Sequence, residues 1–398
     1  MTERAPRKLP ASVEAGKTEH PEAPSLGPRF FITPNGLPYL LAPFIPIAIV
    51  LELAGAAAGA VFFSAALGVI PTAALMGRAT EEVAAQSGPG VGGLLNVTFG
   101  NAPELIIALF ALERGLHEVV KASIVGSILG NILLVMGAAM LAGGLVGNRK
   151  VQRFDRTAAS VQSLMLILAV AALVMPAIFE LVEGQGLPAI GQERVTYDDT
   201  VEDLSLAVAI VLIATYVAGL IFSLRTHREL FNPHTEGEPE HDDTWGWSLR
   251  TSVIALASAG IAVGVMSEIL VGSIEAASES IGLSEFFIGV IVVAIVGNAA
   301  EHWVAVLVAV KNKMDLSVNI AIGSSAQVAM FVAPVLVLLS FVLGPGPMPL
   351  VFNGFEIAAI ALGVLVAYQV TNEGESTWFE GVQLLALYAI LGLTFYFA

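Results

Sequence analysis

Glu104 and Glu301 each lie within an apolar run, and each closes the same short pattern: Gly100-Asn101-Ala102-Pro103-Glu104 and Gly297-Asn298-Ala299-Ala300-Glu301, 197 residues apart. At a matched interval after each comes a second small-residue motif, Gly126-Ser127 and Gly323-Ser324. An acid at the centre of a membrane helix costs about 2.5–3.5 kcal/mol on insertion scales, so its presence there marks a functional candidate. Two acids in matched repeats predict one shared site. Asn101 and Glu104, like Asn298 and Glu301, are three apart and share a helix face, so each copy offers an amide oxygen beside a carboxylate. Pro103 has no N–H to donate and its ring clashes with the carbonyl of Phe99, so the first copy should kink and free backbone carbonyls at the same depth. The second copy has Ala300 there, and its opening would rest on Gly297 alone.

Oxygen-only ligands select hard cations. Ca2+ accepts about six to eight of them in irregular geometry, whereas Mg2+ requires a near-ideal octahedron and releases water reluctantly. Ca2+ fits best. Two carboxylates neutralise it, and without it like charges in a low-dielectric site cannot both stay ionised, so at least one takes up a proton. The same oxygens then hold either the cation or protons, and mutual exclusion of the two states is the basis of exchange. His302, adjacent to Glu301, is the one histidine deep in an apolar span, since His20, His117, His227, His234 and His241 fall in tails or loops; it is a candidate proton-linked residue beside the two glutamates. Ser127 with Asn131, and Ser324 with Gln327, can face the same site, although small residues such as Gly126, Gly130 and Gly323 also serve close helix packing. Glu52, Glu268 and Glu356 are read as acids snorkelling to the outer interface, with an outer access path as the alternative. The acidic loop of Glu183, Glu193, Asp198, Asp199, Glu202 and Asp203 can concentrate cations there.

Positioning these residues falls to membrane helices. The 398 residues are 56% hydrophobic and 13% charged, with no cysteine and a mean hydropathy of +0.80, which marks a polytopic membrane protein and excludes disulfides and thiolate metal sites. About 20 apolar residues cross a bilayer, and eleven spans follow: 39–57, 58–77, 91–112, 118–145, 158–180, 204–224, 249–272, 285–309, 316–342, 349–371 and 376–397. With the N-terminus in the cytosol, all of the 18 Lys and Arg except Arg114, Lys121 and Arg194 lie inside. The expected organisation is a disordered cytosolic tail (1–38), a first transmembrane helix (39–57), repeat 1 (58–224), an acidic cytosolic linker (225–248) and repeat 2 (249–398). The linker carries Glu236, Glu238, Glu240, Asp242 and Asp243 and reads as solvated charge, with a regulatory cation site as the alternative. The 197-residue offset maps the second span onto the seventh; five spans per repeat is odd, so the second repeat is inverted, an arrangement of secondary transporters whose sites lie near the midplane.

The segments GLLNVTFGNAPELIIALFAL, ASIVGSILGNILLV, IVGNAAEHWVAVLVAVKNKMDL and AIGSSAQVAMF resemble the Ca2+/H+ antiporters, the CAX branch of the cation/Ca2+ exchanger superfamily, over about residues 39 to 398. The resemblance implies eleven helices in two inverted repeats, an acidic segment between the halves, and alternating access at a site of the two motif glutamates, here Glu104 and Glu301, with Asn101 and Asn298 nearby. It further implies a proton-linked histidine matching His302 and supporting polar residues matching Ser127, Asn131, Ser324 and Gln327. Na+-driven relatives carry extra hydroxyls where this chain has Asn101-Ala102 and Asn298-Ala299, so sites for several Na+ ions look absent.

The expected function is therefore secondary active Ca2+/H+ antiport, with a Na+/Ca2+ exchanger or an H+-coupled antiporter for Mn2+ or another divalent cation as the runner-up. A channel would build rings of identical residues from several subunits, and no HExxH or nucleophile–base spacing marks an intramembrane hydrolase. The chain is thus expected not to be an enzyme, to need no cofactor beyond its transported ions, to bind no nucleic acid, and to sit in a lipid bilayer, with an oligomer possible. Its Ala/Gly/Val-rich, cysteine-free spans and short loops point to a prokaryotic plasma membrane.

Overall fold

The computed structural model describes residues 30–146, 149–191, 196–226 and 245–398. Most of the tail and of the linker, with its five acids, lies outside the described residues, as does Glu193 of the acidic loop. Among the described residues thirteen α-helices follow in order. They are α1 (Phe44–Leu53), α2 (Ala58–Gln86), α3 (Pro89–Gly100), α4 (Ala102–Glu113), α5 (His117–Val146), α6 (Arg156–Val182), α7 (Asp199–Thr226), α8 (Leu249–Gly272), α9 (Ile274–Ile281), α10 (Glu285–Val310), α11 (Met314–Ser340), α12 (Gly354–Thr371) and α13 (Trp378–Phe397). Nine are long and apolar enough to cross a membrane among the described residues, and α3 with α4, bent by 43° at Asn101, passes the same test as a pair and brings the number to ten if it is one span.

The first expected span, 39–57, is not one long helix. A 3-10 turn at Leu37–Leu41 runs into the ten-residue α1, and Gly55 at φ 62° ends it. Pro38, Pro43 and Pro46 remove three backbone donors from this stretch, which a hydropathy window does not register. Conversely, α2 continues past the expected end at residue 77, where Arg78 pairs with Glu81 at 3.0 Å and with Glu82 at 3.4 Å along the helix.

Side chains set the other boundaries. Asp155, Asp198 and Ser248 accept from backbone N–H groups at the starts of α6, α7 and α8. The Thr200 backbone N–H donated to Asp198 also holds that carboxyl below its usual range. Asn353 with Glu356, and Thr377 with Glu380, form reciprocal capping boxes at α12 and α13. This corrects the reading of Glu356 as a snorkelling acid: it is 2% exposed and binds the N–H of Asn353 at 2.8 Å. Glu52 and Glu268 are exposed, as a snorkelling acid requires.

Helix α8 lies along α2, α13 along α5, and α5 crosses α10 at the centre. The crossing has no room for a side chain: a methyl on Gly126 would lie 2.0 Å from the carbonyl oxygen of Val290. Gly126→Ala should therefore destabilise the fold by about 1–3 kcal/mol, seen as a lowered midpoint of thermal unfolding in detergent; an unchanged midpoint would mean the crossing is looser than drawn. Single π-helical stretches interrupt α5 at Gly130–Val135 and α11 at Val328–Val332. These two breaks end at Val135 and Val332, the same 197-residue offset as the motifs, and such breaks are often found at functional sites. Two short strands, Gln152–Arg153 and Glu375–Ser376, pair antiparallel and tie the loop after α5 to the loop before α13.

Candidate functional site

The two motifs meet in the middle of the helix bundle, and they do so reciprocally. A methyl on Gly100 would lie 3.2 Å from Glu301 Oε1, and one on Gly297 would lie 3.2 Å from Glu104 Cγ. Each motif's glycine thus makes room for the other motif's glutamate. The backbone differs between copies. The first breaks at Asn101 (φ −95°, ψ 19°), with Pro103 in the first turn of α4. The second runs unbroken through α10, and its π-helical stretch, Ile288–Val293, ends before the motif begins. The opening expected at Gly297 is therefore absent, because Ala300 keeps the backbone N–H that Pro103 lacks.

Polar contacts around the motifs are unequal as well. Glu301 accepts from Ser324 Oγ at 2.7 Å. Glu104 is 9% exposed, and both its carboxylate oxygens are buried without a hydrogen-bond partner, as is Asn101 Oδ1. Asn101 Nδ2 donates to Gln327 Oε1 at 2.6 Å, which leaves that Oδ1 as the amide's open acceptor. Asn298 Nδ2 donates to Ser127 Oγ at 2.9 Å and to the carbonyl of Ala294 at 2.8 Å. Asn131 Nδ2 approaches Asn298 Oδ1 at 3.5 Å, the outer limit of a hydrogen bond. His302 Nε2 donates to Asn131 Oδ1 at 3.0 Å. Ser127, Asn131, Asn298 and His302 thus form one relay, and Asn101 with Gln327, and Ser324 with Glu301, form two further hydrogen-bonded pairs. Among the described residues no group of three His, Cys, Asp or Glu side chains is placed to hold a metal ion, so a cation here must draw on amide, hydroxyl and backbone oxygens as well as the two carboxylates.

A cavity of about 610 Å³ leads from the protein surface to this centre. Glu301, Ser324 and Gln327 line it; Asn101, Glu104, Ser127, Asn131, Asn298 and His302 do not. Its mouth is framed by exposed Asn35, Glu81 and Lys311. Trp245 stands at the same rim, 5.5 Å from the Phe30 ring and under the Arg78 guanidinium at 4.8 Å, and its backbone N–H donates to Glu82. Trp303 Nε1 donates to the carbonyl of Pro34 at 2.7 Å, closing the rim on the other side. Sequence reading passed over Gln162 and Asn319, which also line the cavity. Their signal was a lone amide in an otherwise apolar stretch, outside the repeated motifs.

Residues 57–225 and 251–397 match the family described as sodium/calcium exchanger protein, and the chain belongs to that family. A Ca2+/H+ antiporter of Aphanothece halophytica is 45% identical over 379 residues, covering 91% of this chain and 97% of that protein. The Ca2+/H+ antiporter ChaA of Bacillus subtilis (strain 168) is 43% identical over 358 residues, covering 90% and 97%. The solved structure of native YfkE superimposes with a TM-score of 0.75 at 39% identity, covering 91% of this chain and 100% of that one. The H+/Ca2+ exchanger CAX shares the fold, with a TM-score of 0.68 at 15% identity. The resemblance to the CAX branch read from the four motif segments is borne out.

Proposed function

We propose that this protein exchanges Ca2+ for H+ across a membrane by alternating access at a midplane site in which Glu104 and Glu301 are the central ligands. The observation that carries the reading is the unpartnered state of Glu104: two carboxylate oxygens and the nearby Asn101 Oδ1 are buried with no donor. Such groups are costly unless a proton or a cation satisfies them. Asn101, Asn298, Ser127, Ser324, Asn131 and Gln327 complete or orient the ligand shell. His302 ends the relay through Asn131 and is the proton-linked histidine. The relatives at 43–45% identity are Ca2+/H+ antiporters, which favours protons over Na+ as the driving ion.

On this reading Leu37–Leu53 is the first of eleven membrane helices, and the remaining ten form two inverted five-helix repeats, 58–224 and 249–398. The π-helical stretches in α5 and α11, at the repeat offset, support this. The N-terminus is cytosolic by the distribution of Lys and Arg, so the cavity, whose mouth carries Arg78 and Lys311, faces the cytosol. The membrane is a prokaryotic plasma membrane.

Purified protein in proteoliposomes should take up 45Ca2+ when a pH gradient is imposed, and a protonophore should abolish the uptake. A Na+ gradient alone should drive none. Uptake driven by Na+ without a pH gradient would favour the Na+/Ca2+ exchanger instead, and faster movement of Mn2+ than Ca2+ would reassign the cargo.

A further inference from the structure

The path to Glu301 passes a pair of amides that the repeat does not duplicate. Gln162 comes from α6 and Asn319 from α11, both line the cavity, and Gln162 Nε2 donates to Asn319 Oδ1. Gln162 is 9% exposed. A buried amide is costly unless its hydrogen-bonding groups are satisfied, and one amide–amide hydrogen bond satisfies only one oxygen. Whichever amide donates, its own carbonyl oxygen stays free. Gln162 Oε1 accepts no hydrogen bond among the described residues.

The amide pair lies on the route to the carboxylate. A methyl on Gly323 would sit 3.7 Å from Gln162 Nε2 and 3.8 Å from Asn319 Oδ1, and the next residue, Ser324, donates to Glu301. Asn319 and Ser324 are five residues apart on α11, about 7.5 Å along the helix axis. Gly323 keeps the space between them free of a side chain. The 197-residue offset sends Asn319 to Ala122 and Gln162 to Ala359, which are buried and apolar. The other half has no counterpart.

We propose that Gln162 and Asn319 form a one-sided dehydration station: the pair supplies a neutral carbonyl oxygen in place of part of a divalent cation's water shell and passes the ion to Glu301 and Ser324. It rests on the reading of Glu301 as a cation ligand. Because only one half carries the pair, it sets cation affinity from the cavity side alone and makes the exchanger unequal on its two faces.

The test is 45Ca2+ transport against Ca2+ concentration in membrane vesicles of both orientations, for wild type, Gln162→Leu, Asn319→Leu, Gln162→Glu and Glu301→Gln. Each leucine variant should raise the Ca2+ KM about tenfold from the cavity face, the scale of one lost contact to a charged group. KM from the opposite face should stay at its wild-type value. Gln162→Glu, which restores an oxygen ligand, should bring the cavity-face KM back to wild type or below. A KM that is unchanged at the cavity face, or that rises equally at both faces, overturns the proposal, and thermal unfolding of the purified variants separates either result from misfolding. If Glu301→Gln is inactive while the leucine variants keep a wild-type KM, the amide pair alone is refuted. If Glu301→Gln transports normally, the carboxylate reading falls and the proposal with it.

Discussion

Glu104→Gln and Glu301→Gln should each abolish Ca2+ transport while the protein still folds and inserts. Glutamine keeps the size and one carbonyl oxygen of the side chain but not the charge, so the site would offer one negative charge to a divalent ion. Losing one partner of a buried charge pair costs about 2–5 kcal/mol, which weakens binding upward of about thirtyfold. The two variants should differ in stability. Both oxygens of Glu104 lack a donor, and Asn101 Oδ1 beside it also lacks one; an amide at position 104 removes the charge and supplies a donor. Glu104→Gln should therefore unfold at a higher temperature than the wild type in the absence of Ca2+. Glu301→Gln keeps an acceptor for Ser324 and should unfold near the wild-type temperature. Near-normal Ca2+ flux in either variant would remove that residue from the site.

Apparent Ca2+ affinity should fall steeply as the pH falls. The sign follows from the site: protons occupy the carboxylates only when the ion is absent, so each proton displaced on binding makes the apparent Kd rise by up to about tenfold per pH unit. With two carboxylates the limit is about a hundredfold per unit. His302 stands outside the carboxylate pair, tied to Asn131 at 3.0 Å, which in turn approaches Asn298. His302→Ala should shift or flatten the pH profile while leaving the affinity at alkaline pH, where the carboxylates are already deprotonated, close to wild type. Titrating Ca2+ binding against pH decides both points. A pH-independent wild-type affinity would end the competition scheme, and an unchanged profile in the variant would leave His302 as a structural hydrogen-bond donor.

Much of the central arrangement was legible because it is written twice. The duplicated Gly-Asn-Ala-x-Glu pattern placed Glu104 and Glu301 together, and Pro103 located the break between α3 and α4. The differences between the copies were less legible. Loss of one N–H at Pro103 breaks a span that Ala300 leaves intact, and this single exchange leaves α10 straight where the sequence allowed an opening. Glu356 was misplaced although Asn353, three residues before it, spells the start of a helix; hydropathy outweighed the cap. The amides Gln162 and Asn319 were invisible for the opposite reason, since they occur once and the repeat gives no second copy to compare. The short first helix escaped because proline changes hydrogen bonding without lowering hydrophobicity.

The aromatic rim of the cavity has a spectroscopic consequence. The chain has four tryptophans, and Trp245 and Trp303 line the cavity while Trp247 stands 5.3 Å from Trp245. The remaining one, Trp378, begins α13 and is 44% exposed. Three of the four indoles therefore surround one opening, with the Arg78 charge against one of them. The protein's own indole emission is weighted toward this rim, and a single background substitution at Trp378 would leave every remaining tryptophan there, so that excitation selective for indole makes the wetting and drying of the rim observable without an attached dye.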